Sequence, residues 1–160
     1  MIGPAAVVAA LEASSFTHLV WIPDSHLGTW DSALAASRLA PIRPTREGEA
    51  VGIAAGLLLG GANPLVAIQC TGFFEAGDAI RNVVHDMKLP LKLLVGVRSW
   101  RAMTAGTTGD NCPTYAERMV AAWDLPFAWL DPFTASEADC AAAIRSLAES
   151  NTASVLLWGE

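Results

Sequence analysis

Charge is what this sequence has least of. Asp, Glu, Lys and Arg make up 16% of its 160 residues, against about 25% in an ordinary soluble domain. The ten Lys and Arg form no cluster and the net charge is −6, which excludes nucleic acid as a partner. Cysteine is also scarce. Cys70, Cys112 and Cys140 are odd in number and far apart. No Cys-x-x-Cys pair or His-rich spacing is present, so no metal site is expected. Separate, reduced thiols in a cytoplasmic protein are the expectation, with Cys70 a small packed residue. The start, Met1-Ile2-Gly3-Pro4, lacks the basic region of a signal peptide. Glycine-rich nucleotide fingerprints, phosphate loops and the Gly-x-Ser-x-Gly elbow are missing too.

Apolar residues are plentiful instead, at 52%, with six Trp. Too little polar surface for a free-standing domain implies a face covered by another chain. The run from Ala50 to Phe74 has no charge and is long enough to raise the question of a membrane span. Gly60, Gly61, Asn63 and Pro64 break it, so a buried helix, a turn and a buried strand are expected, with no membrane.

Periodicity divides the chain into alternating helices and strands. Helices are expected over Pro4–Ser14, Thr29–Leu39, Thr45–Gly60, Phe73–Asp86, Pro113–Asp124 and Ser136–Ser150. Strands are expected over Thr17–Ile22, Ala40–Arg43, Leu65–Gln69, Leu91–Val97, Phe127–Leu130 and Ser154–Trp158. Most strands are continuous apolar runs, as when both faces are covered. The fold class is therefore α/β: a three-layer α/β/α domain over residues 1–160 with a largely parallel sheet of about six strands. Ligands of such sheets bind outside the carboxyl ends of the strands. The loops there are Pro23–Gly28, Pro44–Glu47, Gln69–Gly72 and Arg98–Cys112. Of the three histidines, His18 and His85 read as structural, while His26 lies in one of these loops.

The stretch Arg46-Glu47-Gly48-Glu49-Ala50-Val51-Gly52-Ile53-Ala54-Ala55-Gly56 carries the chemistry. Glu47 and Glu49 open a helix whose remaining side chains are small and apolar. A carboxylate there faces the positive end of the helix dipole and borders a wall that raises the cost of its charge. It is a candidate for holding or moving a proton. On spacing alone, two solvated first-turn acids on a buried helix are the better explanation, since acids are common at helix starts.

This stretch resembles the signature of the pyrimidine-binding domain of thiamine diphosphate enzymes, a glutamate followed at fixed spacing by small residues and a glycine. Counted from Glu47 these are Ala50, Ala54 and Gly56; counted from Glu49, Leu58 falls where a glycine belongs. With Pro23-Asp24-Ser25, the Gln69-Cys70-Thr71-Gly72 turn and Pro90 before a Leu-rich strand, the sequence is most similar to the α subunits of sulfopyruvate decarboxylase and the matching half of phosphonopyruvate decarboxylase. The loop from Arg98 departs, with Arg98-Ser99-Trp100 where that pattern has Arg-Gly. The resemblance implies that Glu47 is catalytic. It would hydrogen-bond N1′ of the cofactor's aminopyrimidine and favour the imino tautomer that takes the C2 proton. It also implies that Pro23, Gln69, Thr71 and Gly72 line the cofactor. Asp24, Ser25 and His26 would face a small 2-keto acid, and Arg98 and Arg101 would meet a second anionic group such as a sulfonate or phosphonate. The diphosphate-binding motif is absent, since Gly77-Asp78 and Gly109-Asp110 run on into Ala79 and Asn111. The implied partner is therefore a β subunit that carries the diphosphate-binding domain and Mg²⁺ in a hetero-oligomer. The alternatives are carboligation on the same cofactor, or a non-catalytic regulatory or scaffold subunit that binds a partner chain but no cofactor.

Overall fold

A computed structural model describes residues 1–160. Its six strands are β1 (His18–Trp21), β2 (Ala40–Ile42), β3 (Pro64–Gln69), β4 (Lys92–Val97), β5 (Phe127–Leu130) and β6 (Ser154–Gly159). They form one sheet in the order β2-β1-β3-β4-β6-β5, and every neighbouring pair is parallel. The eight α-helices are α1 (Pro4–Ala13), α2 (Asp31–Ala35), α3 (Glu47–Leu59), α4 (Cys70–Glu75), α5 (Gly77–Arg81), α6 (Trp100–Thr104), α7 (Cys112–Ala122) and α8 (Glu137–Glu149).

Side chains alternate across the sheet, and each set meets its own layer of helices. Val20, Val66, Ile68, Leu93, Val95, Val97, Val155 and Leu157 pack with α3, α4, α5 and α7. Leu19, Trp21, Leu65, Ala67, Leu94, Leu156 and Trp158 pack with α1, α2 and α8. The three central strands β3, β4 and β6 are buried almost throughout, which is why their sequences read as unbroken apolar runs. No helix is long and apolar enough to cross a membrane.

Three expectations are corrected. The loop from Arg98 to Cys112 contains α6, entered through Ser99 at a left-handed φ of 62°. The helix expected over Thr29–Leu39 shortens to a 3₁₀ turn over Leu27–Trp30 followed by α2. The helix expected from Phe73 begins three residues earlier, at Cys70. Thr71 and Gly72, expected in the turn before that helix, both lie inside α4, where a neighbouring side chain fills the space of Gly72's missing Cβ.

The cysteines are also corrected. Cys70 is buried as expected but not as a free thiol: it is joined to Cys112 by a disulfide, and only Cys140 is free. The bridge ties the first residue of α4 to the first residue of α7, 42 residues apart in sequence. Alkylation in denaturant without reductant should therefore label Cys140 alone. Reduction should lower stability by about 2–4 kcal/mol, the loop-closure entropy of a loop that long, measured by denaturant titration with and without reductant. Labelling of all three thiols before reduction would remove the bridge from the fold.

Candidate functional site

The carboxyl ends of β1, β3, β4 and β6 meet along one edge of the sheet, and the residues singled out in the sequence gather there. α3 enters this edge with its first turn. Its helix faces the core with Ala50, Val51, Ala54 and Ala55, and these small side chains let it lie close to the sheet. Gly61, at φ +80°, ends it, and the Ala62 N–H caps the Leu57 carbonyl at 2.9 Å.

Four acids surround that first turn and its neighbours, and three of them are occupied. Glu49 turns back and accepts from the Thr45 N–H at 2.8 Å and the Thr45 hydroxyl at 2.9 Å, which holds its carboxyl below the usual range. Glu75, at the end of α4, pairs with Arg46 and accepts from the Gly48 N–H at 3.2 Å. Its bond to Arg46 comes first among the causes that lower its pKa. Asp24 accepts from the His26 and Leu27 N–H groups, both at 2.8 Å, and so builds the turn after β1. Glu47 alone has no hydrogen bond or ion pair within the chain. It is half-buried and leans on Gly72, where an added Cβ would lie 2.3 Å from Glu47 Cγ and Oε1.

Beside Glu47, a chain of hydrogen bonds runs across the strand ends from Thr71 to Asp24. Thr71, next to Gly72, donates its hydroxyl proton to Gln69 Oε1 at 2.9 Å. Gln69 in turn donates through Nε2 to Asp24 Oδ2 at 3.2 Å. The structure therefore brings together Glu47, Gly72, Thr71, Gln69 and Asp24. Pro23 and Ser25 lie exposed on the same β1 loop.

The side chains of the remaining candidates are engaged with other partners. Arg98 is held by Asp110 at 3.2 Å, and Asp110 also accepts from Ser99 Oγ and the Cys112 N–H. Arg98 lines an open pocket of about 540 Å³ with Thr71, Phe74, Asn111, Tyr115 and Met119. Arg101 is bound by Asp131 at 3.1 Å and lies 4.2 Å above the Phe133 ring. His26 meets the same ring edge-on at 6.2 Å. The two arginines are thus committed to different acids, and the structure does not bring them together as a clamp for one anion. His85 is structural, as expected, within 2.9 Å of the Trp123 carbonyl oxygen.

One acid at this edge escaped the sequence reading. Glu160, just beyond β6, is 6% exposed, and neither of its side-chain oxygens has a partner. Burial, with the nearby charge of Asp24, pushes its carboxyl up to about 8. The signal was available: an acid directly after an apolar strand belongs to the carboxyl-end set. Glu75 and Tyr115 were also missed, because only packing relates them to α3 and Thr71.

The chain has the three-layer parallel α/β fold of a domain found in thiamine diphosphate enzymes, with an unpaired glutamate at the start of its Ala/Gly-rich helix. Over 70 residues it is 36% identical to sulfopyruvate decarboxylase from Methanosarcina acetivorans, a match covering 44% of this chain and 17% of that protein. A thiamine diphosphate-dependent 4-hydroxybenzoylformate decarboxylase from Rhodococcus jostii RHA1 superposes over 99% of this chain and 30% of its own, with a TM-score of 0.68 at 18% identity. A split gene transketolase, in an inactive β4 tetramer, superposes over 99% of this chain and 51% of its own, with a TM-score of 0.66 at 21% identity. No protein-family model matches the chain. The chain thus spans only part of each protein it resembles.

The contact between Glu47 and Gly72 is testable. Gly72→Ala forces the Glu47 side chain off its rotamer, which costs about 1 kcal/mol. In a Glu47→Ala background the Cγ is gone and the cost should vanish. A double-mutant cycle read by denaturant titration measures this coupling; additive effects would separate the two residues.

Proposed function

We propose that this chain is the pyrimidine-binding α subunit of a heteromeric thiamine diphosphate-dependent 2-keto acid decarboxylase, whose β subunit holds the diphosphate and Mg²⁺. The observation that carries the reading is Glu47. It is the one acid at the start of α3 left without a protein partner, and α4 supplies a glycine to make room for it. The match to sulfopyruvate decarboxylase falls in with this reading, and the split gene transketolase is a neighbour of the same fold.

The residues present fit the cofactor. When bound, thiamine diphosphate supplies an acidic carbon that adds to a keto group and takes up the electrons released as CO₂ leaves. Glu47 would hold the pyrimidine by a charge-assisted hydrogen bond to a ring nitrogen, and would hold or move the proton there. Gly72 leaves room for the Glu47 side chain beside the ring, and exclusion of water there would strengthen that bond. Gln69 and Thr71 fix the loop beside it, and Asp24 locks that loop to the one after β1. Arg98 and Arg101 are each neutralised by an aspartate, so nothing beyond the 2-keto acid group itself is assigned to the substrate.

The outer face of α3 supports a partner chain. Gly52 and Gly56 are exposed, and an added Cβ at either position would meet nothing within 4 Å. Packing within the chain gives no reason for glycine at these positions, where alanine would favour the helix by about 1 kcal/mol each. A second chain lying against the bare backbone gives that reason.

Two outcomes are expected. In the complex isolated from cells, native mass spectrometry should find a second chain, thiamine diphosphate and Mg²⁺, and Glu47→Gln should abolish keto-acid turnover with an unchanged melting curve. Near-normal turnover in that variant ends the catalytic assignment. A cofactor-free assembly supports instead a scaffold subunit of the same fold. Gly52→Ala and Gly56→Ala should each raise the stability of the isolated chain by about 1 kcal/mol and weaken its assembly with the partner. Undiminished assembly would move the interface off α3.

A further inference from the structure

Glu160 lies beyond β6 on the sheet face opposite α3, where side-chain alternation places it with Trp158 and Leu156. Its backbone is fixed: its N–H donates to the Val97 carbonyl at 3.1 Å, and its carbonyl accepts from the Arg101 N–H at 3.0 Å. Its side chain reaches over β4 at Gly96, where an added Cβ would lie 2.5 Å from Oε1. Gly96 pairs in register with Gln69 of β3. The carboxyl therefore lies at the strand-end edge that also carries Gln69 and Asp24.

The charges around it are unequal. The charge that acts on Glu160 is that of Asp24. The Arg101 guanidinium, on the helix packed against it, is committed to Asp131 and Phe133, and His26 turns to the same Phe133 ring. No ion pair in the chain includes Glu160. An ionised carboxylate this deeply buried, without a donor and beside another anion, is strongly disfavoured. Asp24 accepts three hydrogen bonds, whereas neither side-chain oxygen of Glu160 has a partner. Of the two acids, Glu160 is the one that takes the proton.

We infer that Glu160 is a neutral, proton-holding acid that positions Asp24, and through it Gln69 and Thr71, so that the floor of the site carries one negative charge instead of two. Loss of that proton would place two anions side by side and loosen the bond by which Gln69 holds the β1 loop. Glu160 is thus a positioning residue that ties the geometry beside Glu47 to pH. The inference builds on the placement of the site at the strand ends and not on the presence of a cofactor.

Carboxyl-detected NMR of the ¹³C-labelled chain tests it, with the Glu160 resonance assigned by Glu160→Gln. Glu160 Cδ should titrate near pH 8, and its midpoint should fall in Asp24→Asn. The Gln69 side-chain amide signals should shift with the same midpoint in the parent and show no such step in Glu160→Gln. The sign for stability follows from linkage: the folded state holds a proton that the unfolded state has lost, so stability falls as pH rises from the ordinary glutamate value of 4.5 to about 8. Glu160→Gln should remove that fall in melting temperature. Titration of Glu160 in the ordinary carboxylate range overturns the inference, as do Gln69 signals that follow no transition near pH 8. Should Glu160→Gln fail to fold, through-bond assignment from the backbone identifies Glu160 Cδ, and its midpoint in Asp24→Asn still decides. None of these readouts needs the partner chain, so they stand or fall apart from the decarboxylase reading.

Discussion

Leu93, Val95 and Val97 leave β4 on one side and Leu94 on the other, and neither side can be left in water. A parallel sheet with two apolar faces needs two layers of helices, and each strand must return through one of them. The cores on the two faces are of similar size, 23 and 21 buried residues, so neither layer is an accessory. This constraint places all six strands in one direction and brings their carboxyl ends to one edge. The loops that leave that edge are free of the packing that fixes the strands, and the polar residues collect in them.

At that edge the acids have been assigned distinct tasks by what surrounds them. Glu49 and Glu75 satisfy N–H groups around the first turn of α3, and Asp24 builds the turn after β1. Glu47 has none of these duties, and it occupies the space that Gly72 leaves open. Glu160 is also unpartnered, but buried, on the other face of the sheet. Two unpaired acids, one half-exposed and one enclosed, thus flank the same strand ends. Glu47 is left open to solvent on one side; Glu160 is buried with both side-chain oxygens unpartnered.

Much of this was legible in the sequence because local pattern and tertiary demand agreed. Continuous apolar runs specified strands buried on both sides, and their alternation with helices specified a parallel sheet. Glu47, with Ala50, Ala54 and Gly56 at fixed spacing, marked the start of α3. Gln69, Thr71 and Asp24 were placed at the strand ends by the carboxyl-end rule and lie there in one hydrogen-bonded chain. Arg98 was correctly placed in a loop, but Arg101 lies in α6, and no local signal could show that Asp110 and Asp131 would claim the two arginines.

The sequence by itself determined the fold class and the helix that Glu47 opens, since these depend on periodicity and on neighbours within a few residues. Only the tertiary structure decided which acids are already occupied, that Cys70 and Cys112 meet across 42 residues, that Gly72 belongs inside a helix, and that Glu160 is enclosed over Gly96. Each of these depends on distances between segments remote in the chain. Such distances are set by how the helices settle on the sheet, and no local pattern encodes them.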